Sequence, residues 1–179
     1  MGEYWGVKKW AYRCAFVLLS LVALFIYLLP LEFGEGRWPG PDLIVAFAFA
    51  WVLRRPSYVP ILLIGPVFLI ADFMLVRPPG LWAALCVLGI EFLRRREGRS
   101  RDIPFPVEWA MISAVLLGLA VIYRVLLSVF LVQQASFGLV ILQQLSTLFI
   151  YPLVVFISTS VMGVTKITAA EAEVLGFSR

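Results

Sequence analysis

Apolar residues along the chain gather into six stretches, the first four of them stopped by proline, glycine or a run of arginines. They cover residues 14–29, 43–53, 59–76, 81–93, 107–132 and 137–164. Pro30 ends the first, and Arg54-Arg55-Pro56 follows the second. Arg77-Pro78-Pro79-Gly80 closes the third, and Arg94-Arg95-Arg96 ends the fourth. In hydrocarbon a segment must satisfy its own backbone N–H and C=O groups, so each stretch is predicted to be a helix.

Composition strengthens this reading. Hydrophobic residues make up 62% of the 179, and only 15% are charged. Mean hydropathy is +0.96. A soluble core of this size cannot bury so much apolar surface, whereas a bilayer can. The expectation is an all-α, polytopic integral membrane bundle of six transmembrane helices in a single domain.

The charges then orient it. Lys8, Lys9 and Arg13 precede the first helix, and Arg54 and Arg55 follow the second. Arg94, Arg95, Arg96, Arg99 and Arg101 follow the fourth, and Lys166 and Arg179 lie in the tail. These twelve fall on one side; Arg37 and Arg77 fall on the other, and Arg124 lies inside a stretch. Basic residues stay cytoplasmic, so both termini are predicted there. The net charge of +4 is mostly this topological signal and calls for no nucleic acid. The cluster at 94–101 can also meet anionic lipid head groups.

The second and fourth stretches are short, about 17–20 Å at 1.5 Å per residue against a hydrocarbon core of about 30 Å. They could sit inside the bundle, thin the bilayer, or be partly re-entrant. A re-entrant fourth stretch would break the charge alternation, which favours short true spans. Pro66 and Pro152 are expected to kink the third and sixth helices.

Trp5, Trp10, Trp51 and Trp109 fall near the cytoplasmic boundary, and Trp38 and Trp82 near the outer one. An aromatic belt explains this placement. Lys8-Lys9 before an apolar run imitates a secretion signal. No small-residue cleavage site follows at Leu31-Glu32-Phe33-Gly34-Glu35, so the run is expected to remain as a helix. Cys14 and Cys86 lie in different stretches and read as small packing residues.

Ionisable groups within hydrocarbon are the first candidates for function. Asp72 and Arg124 lie at similar depth in the outer half of the membrane, which suggests a structural ion pair; proton or ion transport through Asp72 is the other reading. Glu91 can pair locally with Arg94 and Arg95. Asp42 and Glu108 sit at helix starts, where a carboxylate complements the dipole. On the sixth helix, Gln143, Thr147 and Tyr151 recur every four residues on one face. They are expected to hydrogen-bond neighbouring helices, or else to line a solute groove.

Catalysis finds little support. The chain has no histidine, the usual general base and commonest metal ligand. The carboxylates are scattered, and there is no phosphate loop or nucleophile elbow. No cofactor is called for.

One set of runs is distinctive. Pro41-Asp42-Leu43-Ile44 is followed by Trp51-Val52-Leu53-Arg54-Arg55-Pro56, then by Ala71-Asp72-Phe73. Arg77-Pro78-Pro79-Gly80-Leu81-Trp82-Ala83-Ala84-Leu85 and Glu91-Phe92-Leu93-Arg94-Arg95-Arg96 continue the series. In order and spacing these runs resemble the rod shape-determining MreD family, its alphaproteobacterial branch in particular, over nearly the whole chain. In one respect the chain departs: Gly65-Pro66 stands further from Asp72 than the family's glycine does.

The resemblance implies a non-enzymatic subunit of the bacterial elongasome in the inner membrane, supporting rod shape and lateral peptidoglycan synthesis. Its implied partners are an MreC-like bitopic protein and, through it, MreB and the RodA–penicillin-binding-protein synthase. The family fold is similar to the substrate-binding subunits of energy-coupling-factor vitamin transporters. That similarity supplies the alternative, a protein that binds a small molecule or lipid precursor. Ala50, Trp51, Trp82, Ala83 and Ala84, on the short second and fourth helices, are the expected partner-binding positions.

Overall fold

The computed structural model describes residues 2–29, 39–100, 103–132, 134 and 136–166. Arg37, Trp38, Arg101 and Arg179, with the 30–38 connection, lie outside the described residues, as do the side chains of Trp5 and Arg99. The chain is all-α, with six helices: α1 (Gly2–Leu28), α2 (Leu43–Arg54), α3 (Ile61–Met74), α4 (Leu81–Ser100), α5 (Phe105–Val129) and α6 (Phe137–Ser160). A 3-10 turn, Pro56–Tyr58, links α2 to α3.

Three helices are long and apolar enough to cross a membrane: Val7–Leu28, Phe105–Val129 and Phe137–Ser160. Leu43–Arg54 and Ile61–Met74 are shorter apolar helices. Three long apolar helices suggest a multi-pass membrane protein.

Two boundaries differ most from expectation, the others by four residues or fewer. Helix α1 begins at Gly2 and not near residue 14, and α4 continues past Leu93 to Ser100. The reason is the same at both. Lysine and arginine are good helix formers, so a basic run ends an apolar stretch without ending the helix. The fourth helix is therefore not short.

Helix α2 is the centre of the molecule. Every residue from Ile44 to Arg54 is buried, and α1, α4 and α6 pack around it. A helix apolar on all sides is stable only when enclosed, and here its own chain encloses it. Its length is thus set by the bundle interior and not by the bilayer. Ala46, Ala48 and Ala50 are each completely buried. Such small residues let neighbouring helices approach, which matters because lipid leaves close packing as the main attraction between helices.

The other helices close around this axis: α3 packs on α1 and α4, and α5 on α4 and α6. At Gly89 of α4, an added Cβ would lie 2.7 Å from Leu119 Cδ1 of α5 and 3.4 Å from Phe49 Cζ of α2. No side chain fits there without displacing a neighbour. By contrast, a Cβ at Gly65 would meet nothing within 4 Å.

Both internal prolines lie within continuous helices, Pro66 in α3 and Pro152 in α6. Proline removes the hydrogen bond to the carbonyl four residues earlier, which for Pro152 is that of Leu148. Trp109 Nε1 of α5 donates to this carbonyl at 3.0 Å. A neighbouring helix thus satisfies the freed group, as the bilayer interior demands.

Candidate functional site

Each end of α2 carries a cluster of polar side chains. The lower cluster, at its C-terminal end, is centred on Glu108. Arg54, the last residue of α2, sends Nη1 to Glu108 Oε1 at 2.9 Å and to the Ala50 carbonyl at 3.1 Å. The two side chains are 4% and 1% exposed, so the pair is fully desolvated. Tyr151 of α6 donates to the same Oε1 at 3.0 Å. Lys166, beyond the end of α6, brings Nζ to 3.0 Å from Glu108 Oε2. That contact is an ion pair whose angles do not make it a hydrogen bond. Lys166 Nζ donates instead to the Ile103 carbonyl at 3.2 Å.

One carboxylate of α5 therefore gathers groups from α2, α6 and the segment after α6. A lone buried carboxylate would be costly; two cations and a phenol make it tolerable. The segment after α6 is held at further points. Tyr12 of α1 donates to the Met162 carbonyl at 2.8 Å, and Arg55 Nε to that of Thr165 at 3.2 Å. Above the pair, Trp51 Nε1 donates to Ser158 Oγ at 3.0 Å.

The upper cluster surrounds the start of α2. Asp42 caps the helix, its Oδ1 accepting from Val45 N at 3.2 Å. Its own N–H donates to Thr147 Oγ1 of α6 at 2.9 Å, and its Oδ2 lies 3.5 Å from Arg77 Nη1. Burial is the strongest single influence and works against the Arg77 cation, but Asp42, Tyr27, Tyr123 and Asp72 together outweigh it and hold the pKa above the usual arginine value. Tyr27 donates to the Gly40 carbonyl at 2.7 Å and accepts from Gln143 Nε2 at 2.6 Å. Arg77 lies 5.8 Å from the centre of the Trp82 ring, which packs edge-on against Tyr123.

Asp72 borders this cluster, completely buried. Its Oδ2 accepts from Gly80 N and Ala83 N, each at 3.1 Å. A side chain of α3 thus caps α4 across the turn, satisfying N–H groups that a helix start leaves open. Gly80 takes φ +85, a conformation suited to glycine, and so turns its N–H toward Asp72.

The expected Asp72–Arg124 ion pair is absent from the ion pairs of the described residues. The tight turn between α3 and α4 places the α4 amides against the Asp72 carboxylate. Arg124 instead lies 5.2 Å from the centre of the Phe137 ring, and its backbone carbonyl accepts from Gln134. Of the positions offered to a partner, Ala50, Trp51, Trp82 and Ala83 are buried within the chain's own bundle. Only Ala84 is exposed. Trp51 and Trp82 accordingly act as internal anchors and not as belt residues, whereas Trp10 is exposed. Gln143, Thr147 and Tyr151 reach Tyr27, Asp42 and Glu108 respectively. Glu91 pairs with Arg95 at 3.1 Å, while Arg94 turns to the Val59 carbonyl. Cys86 is buried and Cys14 exposed.

The Arg54–Glu108 pair escaped the sequence reading, in which Arg54 counted only as a topological charge. The available signal was depth: both residues fall on the side that the basic loops share, at an end of an apolar helix.

Beside Tyr27, Asp42 and Arg77 lies a cavity of about 10 Å³, room for a single water. Among the described residues no group of three or more His, Cys, Asp or Glu is placed to hold a metal. No family model, curated protein or solved structure matches the chain.

Proposed function

We propose that the chain is an MreD-type, non-enzymatic subunit of the elongasome. In this reading it spans the bacterial inner membrane six times with both termini in the cytoplasm. It binds an MreC-like bitopic protein and, through it, serves MreB and the RodA–penicillin-binding-protein synthase. The fold is of the kind found in vitamin-transporter substrate-binding subunits, put to a scaffolding use.

The observation that carries this reading is where the resembling residues meet. Asp42, Arg77, Gly80 and Trp82 belong to the upper cluster or the Asp72 cap beside it, and Trp51 and Arg54 lead into the lower one. Residues scattered over some forty positions of sequence thus form two polar networks, one buried and one partly buried, at the ends of one enclosed helix. That the resembling residues have framework roles supports the MreD-type reading. This fits a common fold better than chance likeness of apolar segments.

The cavity at the upper cluster bears on the alternative. A vitamin-sized solute calls for a chamber of several hundred Å³, and the space beside Tyr27, Asp42 and Arg77 is about 10 Å³. The scaffolding reading is therefore the better supported. Depleting the protein from a rod-shaped host tests it, and rounded or misshapen cells are expected. Normal rods, together with saturable binding of a vitamin-sized solute by the purified protein, would replace it with the transporter-subunit reading.

A further inference from the structure

Two guanidiniums reach the turn between α2 and α3. Arg13 Nη2 of α1 donates to the Ser57 carbonyl at 3.4 Å, and Arg94 Nη2 of α4 to the Val59 carbonyl at 2.7 Å. Those carbonyls are two residues apart, within roughly 7 Å along the chain. Each arginine has a buried Nε without a hydrogen-bond partner. No ion pair among the described residues gives either a carboxylate. Lys9 stands one turn below Arg13 on the same face of α1. Two partly buried cations thus share one short turn, with no carboxylate paired to either among the described residues.

An apolar crevice of about 50 Å³ opens above Arg13, between α1 and α3. Val17, Leu21 and Leu24 line it from α1, and Val67 and Ile70 from α3. They follow Arg13 by four, eight and eleven residues on α1, so they share its face. They reach from about 6 to about 17 Å along the axis. The hydroxyl of Ser20, also in the wall, is spent on the Phe16 carbonyl at 2.8 Å. Leu21 and Ile70 are about half exposed, 51% and 49%, so the crevice opens outward to the bilayer.

We propose that the protein holds one anionic phospholipid of the cytoplasmic leaflet between α1 and α3. The phosphate lies at Arg13 and Arg94, and an acyl chain fills the crevice above. The dimensions agree: one leaflet supplies about 15 Å of hydrocarbon, half of the roughly 30 Å core, which matches the reach of the crevice. Guanidinium is also suited to phosphate, which it can grip with two parallel donors. The proposal rests on the membrane reading and its charge-derived orientation, and is independent of the MreC-like partner.

Native mass spectrometry of the detergent-purified protein tests this by titration with phosphatidylglycerol, phosphatidylcholine and inorganic phosphate. The expected result is one phosphatidylglycerol retained roughly tenfold or more tightly than phosphatidylcholine, as a charge-assisted contact implies, and not displaced by millimolar phosphate. The Arg13→Gln/Arg94→Gln double variant should lose the preference. Arg95→Gln should keep it, because that exposed arginine is occupied with Glu91. Val67→Phe fills the crevice and should weaken retention with every charge intact. Equal retention of the two lipids would overturn the proposal, as would a preference that survives the double variant. Displacement by phosphate would reduce the site to one for the free ion. Should the double variant not fold, the wild-type competition and Val67→Phe decide.

Discussion

Glu108 is a carboxylate with three partners from three segments, and that arrangement makes single losses costly. Arg54→Met would leave the buried anion with only Tyr151 and Lys166. Breaking a buried pair from one side typically costs about 3–5 kcal/mol, whereas replacing both members with apolar residues is often nearly neutral. Arg54→Met and Glu108→Leu should therefore each lower the unfolding midpoint in detergent strongly, and the double variant should recover most of the loss. Simple additivity would show that the pair is not energetically coupled. At Asp72 the effect should be local. Asp72→Asn should weaken the cap on α4 by about 1 kcal/mol, in the range of helix-cap substitutions. Hydrogen exchange at Gly80 and Ala83 should rise, and the effect should add to that of Arg124→Leu, since the two act through different neighbours.

At the scale of elements, existence was legible and enclosure was not. Proline, glycine and arginine punctuation located the first four helices, and long apolar continuity marked α5 and α6. The starts of α1 and the end of α4 were missed because charge ends an apolar run while leaving helix propensity intact. Which helix lies at the centre is decided by contacts between distant segments, which no single stretch records. The all-round burial of Ala50 and Trp51 was lost for that reason, although the alternation of alanine with aromatics in α2 was a hint of it. The inner packing should be intolerant of added volume. Ala48→Leu in α2 should destabilise by about 1–3 kcal/mol, as core overpacking does. Gly89→Leu should loosen α4 from α5, seen as increased protease sensitivity of the bundle.

For the whole molecule, a framework braced at both ends of α2 leaves the outer faces of the long helices for lipid and for other proteins. The basic loops predict its orientation. A reporter active only in the periplasm should work when fused at Gln134 or in the 30–38 connection, at Gly34. It should fail at Gly98 or Arg179. Periplasmic activity at Gly98 would invert the assignment of α4. The scaffolding reading is tested most directly by affinity purification of the chain from its native membrane in mild detergent, with the co-purifying proteins identified by mass. An MreC-like bitopic protein should be recovered in near-stoichiometric amount and remain after a salt wash, because contact within the bilayer depends on packing more than on surface charge. Recovery of transport ATPases in its place, with no bitopic partner, would contradict it.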